Sequence, residues 1–341
     1  MNDRFLKACR REPVDCTPVW FMRQAGRYMK EYQAVRAKHS ILEVCKTPEL
    51  AAQVTLQPID RFPLDAAIIF ADILLPLEPM GLPFSFSEGE GPVIQHPIRD
   101  GAAVERLKVI DGQELSYVEA AIAQARKALA GRVPLIGFAG APFTLASYAI
   151  EGGSSRNFIL TKQFMYREPK HWHQLMEKFA TVITTYLRRQ IKAGAQAVQL
   201  FDSWVGCLSP GDYAEYVMPH VQMIFDGLKH DGVPLIHFGT GTATLLPLMR
   251  KAGGTVIGVD WRSHLDEAWA SVGYDVAVQG NLDPVALFAP LDQLERQIKD
   301  ILRRAGGRPG HIFNLGHGIL QQTPVEHVAA AAELVHKLSK R

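Results

Sequence analysis

The chain has 341 residues, of which 47% are hydrophobic and 21% charged, and its formal net charge is +2. That length admits one large α/β barrel or two ordinary domains, and the composition is that of a soluble globular protein. So small a net charge supplies no global field for nucleic acid or an acidic membrane, and any recognition of an anion must be local.

The N-terminal residues Asn2, Asp3 and Arg4 lack the apolar core of a signal peptide. No apolar run approaches the ~18 residues that a membrane span needs. Cys9, Cys16, Cys45 and Cys207 match no zinc or disulfide spacing. Free thiols in a reducing compartment, and hence a cytoplasmic protein, are expected.

The first apolar run, residues 18–21, reads as a buried strand. It feeds Met22-Arg23-Gln24-Ala25-Gly26-Arg27-Tyr28. If this stretch is one helical turn, Arg23 and Arg27 share a face. If it is a loop, Gly26 lets the backbone fold so that both guanidiniums converge. Either arrangement suits an anion with more than one acidic group; the bland alternative is a pair of solvated surface arginines.

Further short runs rich in Val, Ile, Leu and Phe follow at 66–70, 134–138, 197–201, 234–238, 255–259, 276–279 and 311–315. They are nearly continuous rather than alternating, as in a parallel sheet covered on both faces. Helical patterns occupy 113–129, 170–193, 212–230 and 291–305. Glycines stand just past three of their ends, at Gly194, Gly232 and Gly306. Strand and helix alternating in this way predict a single α/β (β/α)8 TIM-type barrel over residues 1–341. The long interval between the second and third runs must hold extra elements. Met80-Gly81-Leu82-Pro83-Phe84 and Glu88-Gly89-Glu90-Gly91-Pro92 read there as turns, or as a hairpin. An open doubly wound sheet would require a Gly-rich phosphate loop after an early strand, and the sequence has none.

A barrel of this type builds its active site from the loops at the C-terminal strand ends. The residues just past the runs are therefore the candidates: Arg23 and Arg27, then Asp72, then Thr144 leading to Tyr148, then Asp202 and Ser203, and finally His317. Asp72 sits in an apolar neighbourhood and needs a partner. That partner is either an arginine or a helix end, or else N–H groups or developing positive charge on a ligand. His317 lies between Gly316 and Gly318, so the backbone there can approach a ligand closely. No G-x-S-x-G elbow surrounds Ser203. His171 and His173 would diverge on a helix. His237 could ligate a metal, but no cysteine or carboxylate follows at ligand spacing. The residues around Gly137 and Gly140 do not complete a phosphate loop, and no basic-aromatic stripe suits nucleic acid.

These strand-end residues resemble a known family. Trp20-Phe21-Met22-Arg23-Gln24-Ala25-Gly26-Arg27-Tyr28 looks like the N-terminal signature of the uroporphyrinogen decarboxylases. Gly137-Phe138-Ala139-Gly140-Ala141-Pro142-Phe143-Thr144 looks like their second signature. Phe70-Ala71-Asp72-Ile73-Leu74, Phe201-Asp202-Ser203 and Asn314-Leu315-Gly316-His317-Gly318-Ile319 follow in the family's order.

The resemblance implies a cofactor-independent carboxy-lyase of tetrapyrrole and haem biosynthesis, acting as a homodimer. Its small-molecule substrate would be uroporphyrinogen III, whose four acetates become the methyls of coproporphyrinogen III. Neither metal, nucleic acid nor membrane would be needed. It further implies Asp72, Arg23 and Arg27 as catalytic residues, and Arg23, Gln24, Ala25, Gly26, Arg27, Asp72, Tyr148, Ser203 and His317 as substrate-binding residues. Two alternatives stand beside it. One is a zinc-dependent cobalamin or thiol methyltransferase of the same barrel superfamily, although Gly239 occupies the place of that group's cysteine after His237. The other is a tetrapyrrole-binding protein without turnover.

Overall fold

A computed structural model describes residues 2–87 and 91–341. Its strands are β1 (Ala67–Ile68), β2 (Phe84–Ser87), β3 (Gly91–Ile94), β4 (Leu135–Gly140), β5 (Ala197–Asp202), β6 (Leu235–Gly239), β7 (Val256–Gly258), β8 (Ala277–Gln279) and β9 (His311–Ile312). Seven of them form one parallel sheet in the order β1-β4-β5-β6-β7-β8-β9. Helices follow the strands and cover the sheet's outer face, a TIM-barrel-like architecture.

The first expected strand is absent as a strand. Residues 18–21 contribute one parallel bridge, Val19 to Phe313. Side chains take the place of a ladder here. Val19 N–H donates to Asp65 Oδ2 at 2.8 Å, Phe21 N–H to Gln24 Oε1 at 3.1 Å and Met22 N–H to Asn314 Oδ1 at 3.1 Å. Pro18 has no N–H to offer at all. The segment still joins both edges of the sheet, since Phe313 N–H donates to Pro18 O and Asp65 N–H to Val19 O, each at 2.8 Å.

Burial divides the apolar residues into two layers. Ile136, Ala197, Ile236, Val256, Ala277 and Ile312 fill the inside of the curled sheet with Trp20 and Met22. The short helix Arg4–Cys9 inserts Phe5, Leu6 and Ala8 into this same cluster and so plugs one end. The alternate residues of the strands, such as Leu135, Val198, Leu200 and Leu235, pack outward against the helices. Each strand is thus apolar on both faces, which is why the sequence runs were continuous.

The helix Pro169–Ala193 buries Phe179, Val182, Ile183 and Leu187, and stops at Gly194 in the left-handed conformation. The helix Leu291–Ala305 ends in the same way at Gly306. The stretch expected as one helix over 212–230 is two, Pro210–Tyr216 and Met218–Leu228. Pro219 explains the break, because it cannot return a hydrogen bond to the preceding turn. Likewise residues 113–129 begin as a 3-10 turn, Gln113–Leu115, before the helix Ser116–Leu129.

Between β1 and β4 lie the antiparallel strand pair β2 and β3 and the helices Leu77–Met80 and Gly101–Arg106. The expected turn at Glu88, Gly89 and Glu90 lies outside the described residues. Among the described residues no helix is long and apolar enough to cross a membrane.

Candidate active site

The C-terminal strand ends surround a concavity with about 850 Å³ of empty space, its open mouth included. Arg23, Asp72, Ser203 and His317 line it over an apolar floor of Phe138, Phe201 and Phe238. The floor rings meet edge to face, Phe138 with Phe201 at 5.4 Å and Phe201 with Phe238 at 6.0 Å. Polar and charged groups therefore line the wall above an apolar base.

The arginine stretch is a loop, and its unusual backbone falls at Arg23 rather than at Gly26: Arg23 has φ 60°, in the left-handed region. A bulky residue adopts that conformation only when its surroundings hold it there. Gln24 does much of the holding. It is fully buried, donates from Nε2 to Ala66 O at 3.1 Å, and its carbonyl accepts the Tyr28 hydroxyl at 2.6 Å. Ile319 N–H donates to Met22 O at 2.9 Å and ties the loop to the His317 segment. Gly26 serves a close approach, since a Cβ there would stand 3.1 Å from Arg23 O.

The two guanidiniums line different concavities. Arg23 faces the main cavity, and Arg27 lines a neighbouring open depression with Arg36 and Gln322. Among the described residues neither guanidinium has a hydrogen-bond or ion-pair partner. Two unneutralised cations on one loop attract anions.

Asp72 lies just past β1. Its Oδ1 accepts the Leu74 N–H at 2.8 Å. The carboxyl keeps a solvent path through the mouth, yet protein surrounds it on every other side. That burial raises its pKa above the ordinary carboxylate range, while the Leu74 N–H and the charge of Arg23 pull the other way. Neither of the partners suggested by the sequence, an arginine salt bridge or a helix cap, satisfies it. Gly140 makes room for this turn, because a Cβ there would lie 3.2 Å from Ile73 Cβ.

His317 follows β9, on the other side of the Arg23 segment from Asp72, and lies edge to face with Trp261 at 6.4 Å. Burial, then the charges of Arg23 and Arg262, hold its pKa down to about 4, so the ring is neutral at pH 7. Its flanking glycines make room for protein. A Cβ on Gly316 would lie 2.2 Å from Trp261 N, and one on Gly318 would lie 2.4 Å from Arg23 Cδ. Ser203, past β5, is a lining residue. Tyr148 is on the helix Pro142–Glu151, stacked edge-on against Trp204 at 6.0 Å, and stands behind the lining. Burial raises its pKa, and the charges of Asp72 and Arg23 both reach it. Ala25 lines the cavity and Gly26 does not.

Sequence reading missed the aromatic floor and the pair Trp261 and Arg262. The floor was hidden because Phe138, Phe201 and Phe238 read as ordinary core at strand ends. Position just past the run at 255–259 was the available signal for the other two.

His237 does not face the cavity. It is fully buried, with Nε2 4.0 Å from Asp202 Oδ2 and its ring beside Phe225. Among the described residues no group of three His, Cys, Asp or Glu side chains could hold a metal ion. The donor set of a zinc methyltransferase is therefore not assembled at this position.

A methyltransferase from Methanosarcina mazei superimposes with a TM-score of 0.82 over 98% of each chain at 20% identity, a likeness of fold alone. A B12-independent methionine synthase from Shewanella sp. W3-18-1 superimposes with a TM-score of 0.58 at 12% identity, covering 85% of this chain and 88% of that one. Sequence relatives are far nearer. The uroporphyrinogen decarboxylase of Sorangium cellulosum is 62% identical over 100% of this chain and 97% of its own. That of Carboxydothermus hydrogenoformans is 59% identical over 99% and 97%. The model of the uroporphyrinogen decarboxylase family matches residues 1–338. With Arg23, Asp72 and the glycine-flanked His317 lining one cavity, the chain belongs to the uroporphyrinogen decarboxylase family of carboxy-lyases.

Proposed function

We propose that this cavity removes the four acetate carboxyls of uroporphyrinogen III as carbon dioxide, with Asp72 as the central catalytic group. The observation that carries this reading is a largely enclosed carboxylate and an unpaired Arg23 that line one cavity above an apolar floor. The substrate carries four inward pyrrole N–H groups and eight carboxylates. Asp72 accepts the N–H groups, and the carboxylate arms meet Arg23, Arg27, Ser203, Tyr148 and His317. Arginine suits this task because its planar fork pairs bidentately with carboxylate.

Decarboxylation needs an electron sink. A proton added to the pyrrole carbon that bears the acetate creates a cationic ring. Asp72 stabilises that cation where the charge develops. The bond to the carboxyl then breaks, its electron pair neutralises the ring, and carbon dioxide leaves. A second proton on the exocyclic carbon completes the methyl as the ring proton departs. The substrate acts as its own sink, so the chemistry calls for no cofactor. His317, neutral at pH 7, contributes a hydrogen bond rather than a charge.

Asp72→Asn keeps the shape and removes the charge. A charge-assisted hydrogen bond contributes ~1.5–3 kcal/mol, so turnover is expected to fall at least roughly tenfold. The assay is anaerobic conversion of uroporphyrinogen, with products separated by carboxyl count. A near-normal rate in the variant would remove Asp72 from this role. One catalytic domain spans residues 1–341, and the enzyme works as a cytoplasmic homodimer. The resemblance supports this, as do the exposed apolar side chains Ile159, Leu160 and Tyr166 on the helix Ile159–Arg167. A monomer by sedimentation at micromolar concentration would count against the dimer.

A further inference from the structure

We propose that Arg262 is an additional substrate-binding residue, placed at the rim to hold a propionate of the tetrapyrrole, an arm that the reaction leaves intact. The inference rests on the function proposed above.

Arg262 follows β7, so it emerges at the same end of the sheet as the residues of the cavity. Its guanidinium is fixed on two sides. Nη1 donates to Asp260 Oδ2 at 2.6 Å, and the plane lies over the Trp261 ring, 3.9 Å from its centroid. The Arg262 backbone N–H donates to Asp260 Oδ1 at 3.0 Å, and Asn281 Nδ2 donates to Asp260 O at 2.9 Å. The loop and the fork on it are thus held before any ligand arrives, which lowers the entropy lost on binding.

An ion pair with Asp260 is the plain alternative role, and two observations speak against its being the whole role. Asp260 is buried and already accepts the Gly241 N–H besides the two donors of Arg262. The guanidinium, by contrast, is half exposed, and its other N–H groups have no partner among the described residues. A second carboxylate can therefore approach the free edge of the fork. The edge-to-face contact of Trp261 with His317 connects this edge to the cavity wall.

The arm that reaches Arg262 follows from position. A reacting acetate must lie near Asp72 and Arg23, inside the mouth. Arg262 lies beyond Trp261 and His317, outside the lining, where the longer arms of the macrocycle project. Those arms persist through all four decarboxylations, so the contact serves substrate, intermediates and product alike.

The test uses the full-length enzyme with Arg262→Gln and Arg262→Lys. The variants are assayed anaerobically with uroporphyrinogen, and coproporphyrinogen binding is measured at equilibrium. Arg262→Gln is expected to raise KM roughly tenfold and to weaken coproporphyrinogen by a similar factor, with kcat within about twofold. Arg262→Lys should fall between, because a point charge replaces the fork. Unchanged KM and product affinity in both variants would overturn the proposal. So would a loss confined to uroporphyrinogen, which would place an acetate there, or a fall in kcat alone. If Arg262→Gln melts early, Arg262→Lys decides, since it keeps the charge opposite Asp260. Failure of the unaltered enzyme to form coproporphyrinogen would instead defeat the underlying function.

Discussion

Arg23 and Gly318 interlock. The arginine side chain lies across the glycine, closer than any Cβ would allow. The backbone of Gly318 is not in the left-handed region, so alanine there meets no backbone strain. Gly318→Ala should therefore fold normally and push the Arg23 guanidinium out of place. We expect KM for uroporphyrinogen to rise roughly tenfold while the thermal midpoint stays within about 3 °C. A normal KM with a lowered midpoint would show that Gly318 serves packing instead. That Arg23, Asp72, Ser203 and His317 would share one cavity was legible in the sequence because strand ends converge in this architecture, whereas Arg27, Gly26 and Tyr148 fall outside its lining. The conformation of Arg23 was not legible, since a positive φ at arginine comes from distant partners such as Ala66 and Ile319 rather than from its neighbours.

At the scale of elements, Lys178 couples two helices. From Pro169–Ala193 its ammonium donates to Val104 O, Glu105 O and Leu107 O at 2.8, 3.0 and 2.8 Å. These are carbonyls at the end of Gly101–Arg106, where the last acceptors of a helix lack N–H donors of their own. Lys178→Met keeps the stem and removes the charge. The expected loss is about 1.5–3 kcal/mol in urea unfolding, with kcat unchanged, and an unaltered urea midpoint would refute the coupling. Periodicity and glycine stops placed the helix Pro169–Ala193 almost to the residue. They failed over residues 212–230, where Pro219 breaks a pattern that apolar spacing alone continues. They failed again at residues 18–21, where Asp65 and Gln24 capture N–H groups that a strand would have used.

For the whole molecule, acid is the informative perturbation. Burial holds His220, His311 and His317 neutral, each with its pKa lowered to about 4. The unfolded chain binds protons on these groups near the ordinary histidine value, ~6.5. Their contribution is therefore intact above about pH 6.5 and is lost as pH falls toward 4. The urea midpoint should drop between pH 7 and pH 5, and His311→Gln should drop less than the parent over the same interval. Equal drops would show that His311 titrates normally. Asp65 adds to the acid sensitivity. Burial disfavours its charge, but His336 at 2.7 Å, the Val19 N–H and Asn2 outweigh that and hold its pKa below the usual range. Its stabilisation is present above the usual carboxylate range and is lost as pH falls below it.

The bridge from Val19 to Phe313 also has a meaning in time. A ribosome releases the arginine loop early and its supports, Phe313, Asn314 and Ile319, near the end of synthesis. Until those residues emerge, the arginine loop keeps only its early supports at Gln24, Tyr28 and Ala66, and the intermediate sheet has two open edges. A nascent chain stalled before residue 313 would thus carry most of its secondary structure while its cavity still lacked His317 and the anchors of the arginine loop on Asn314 and Ile319.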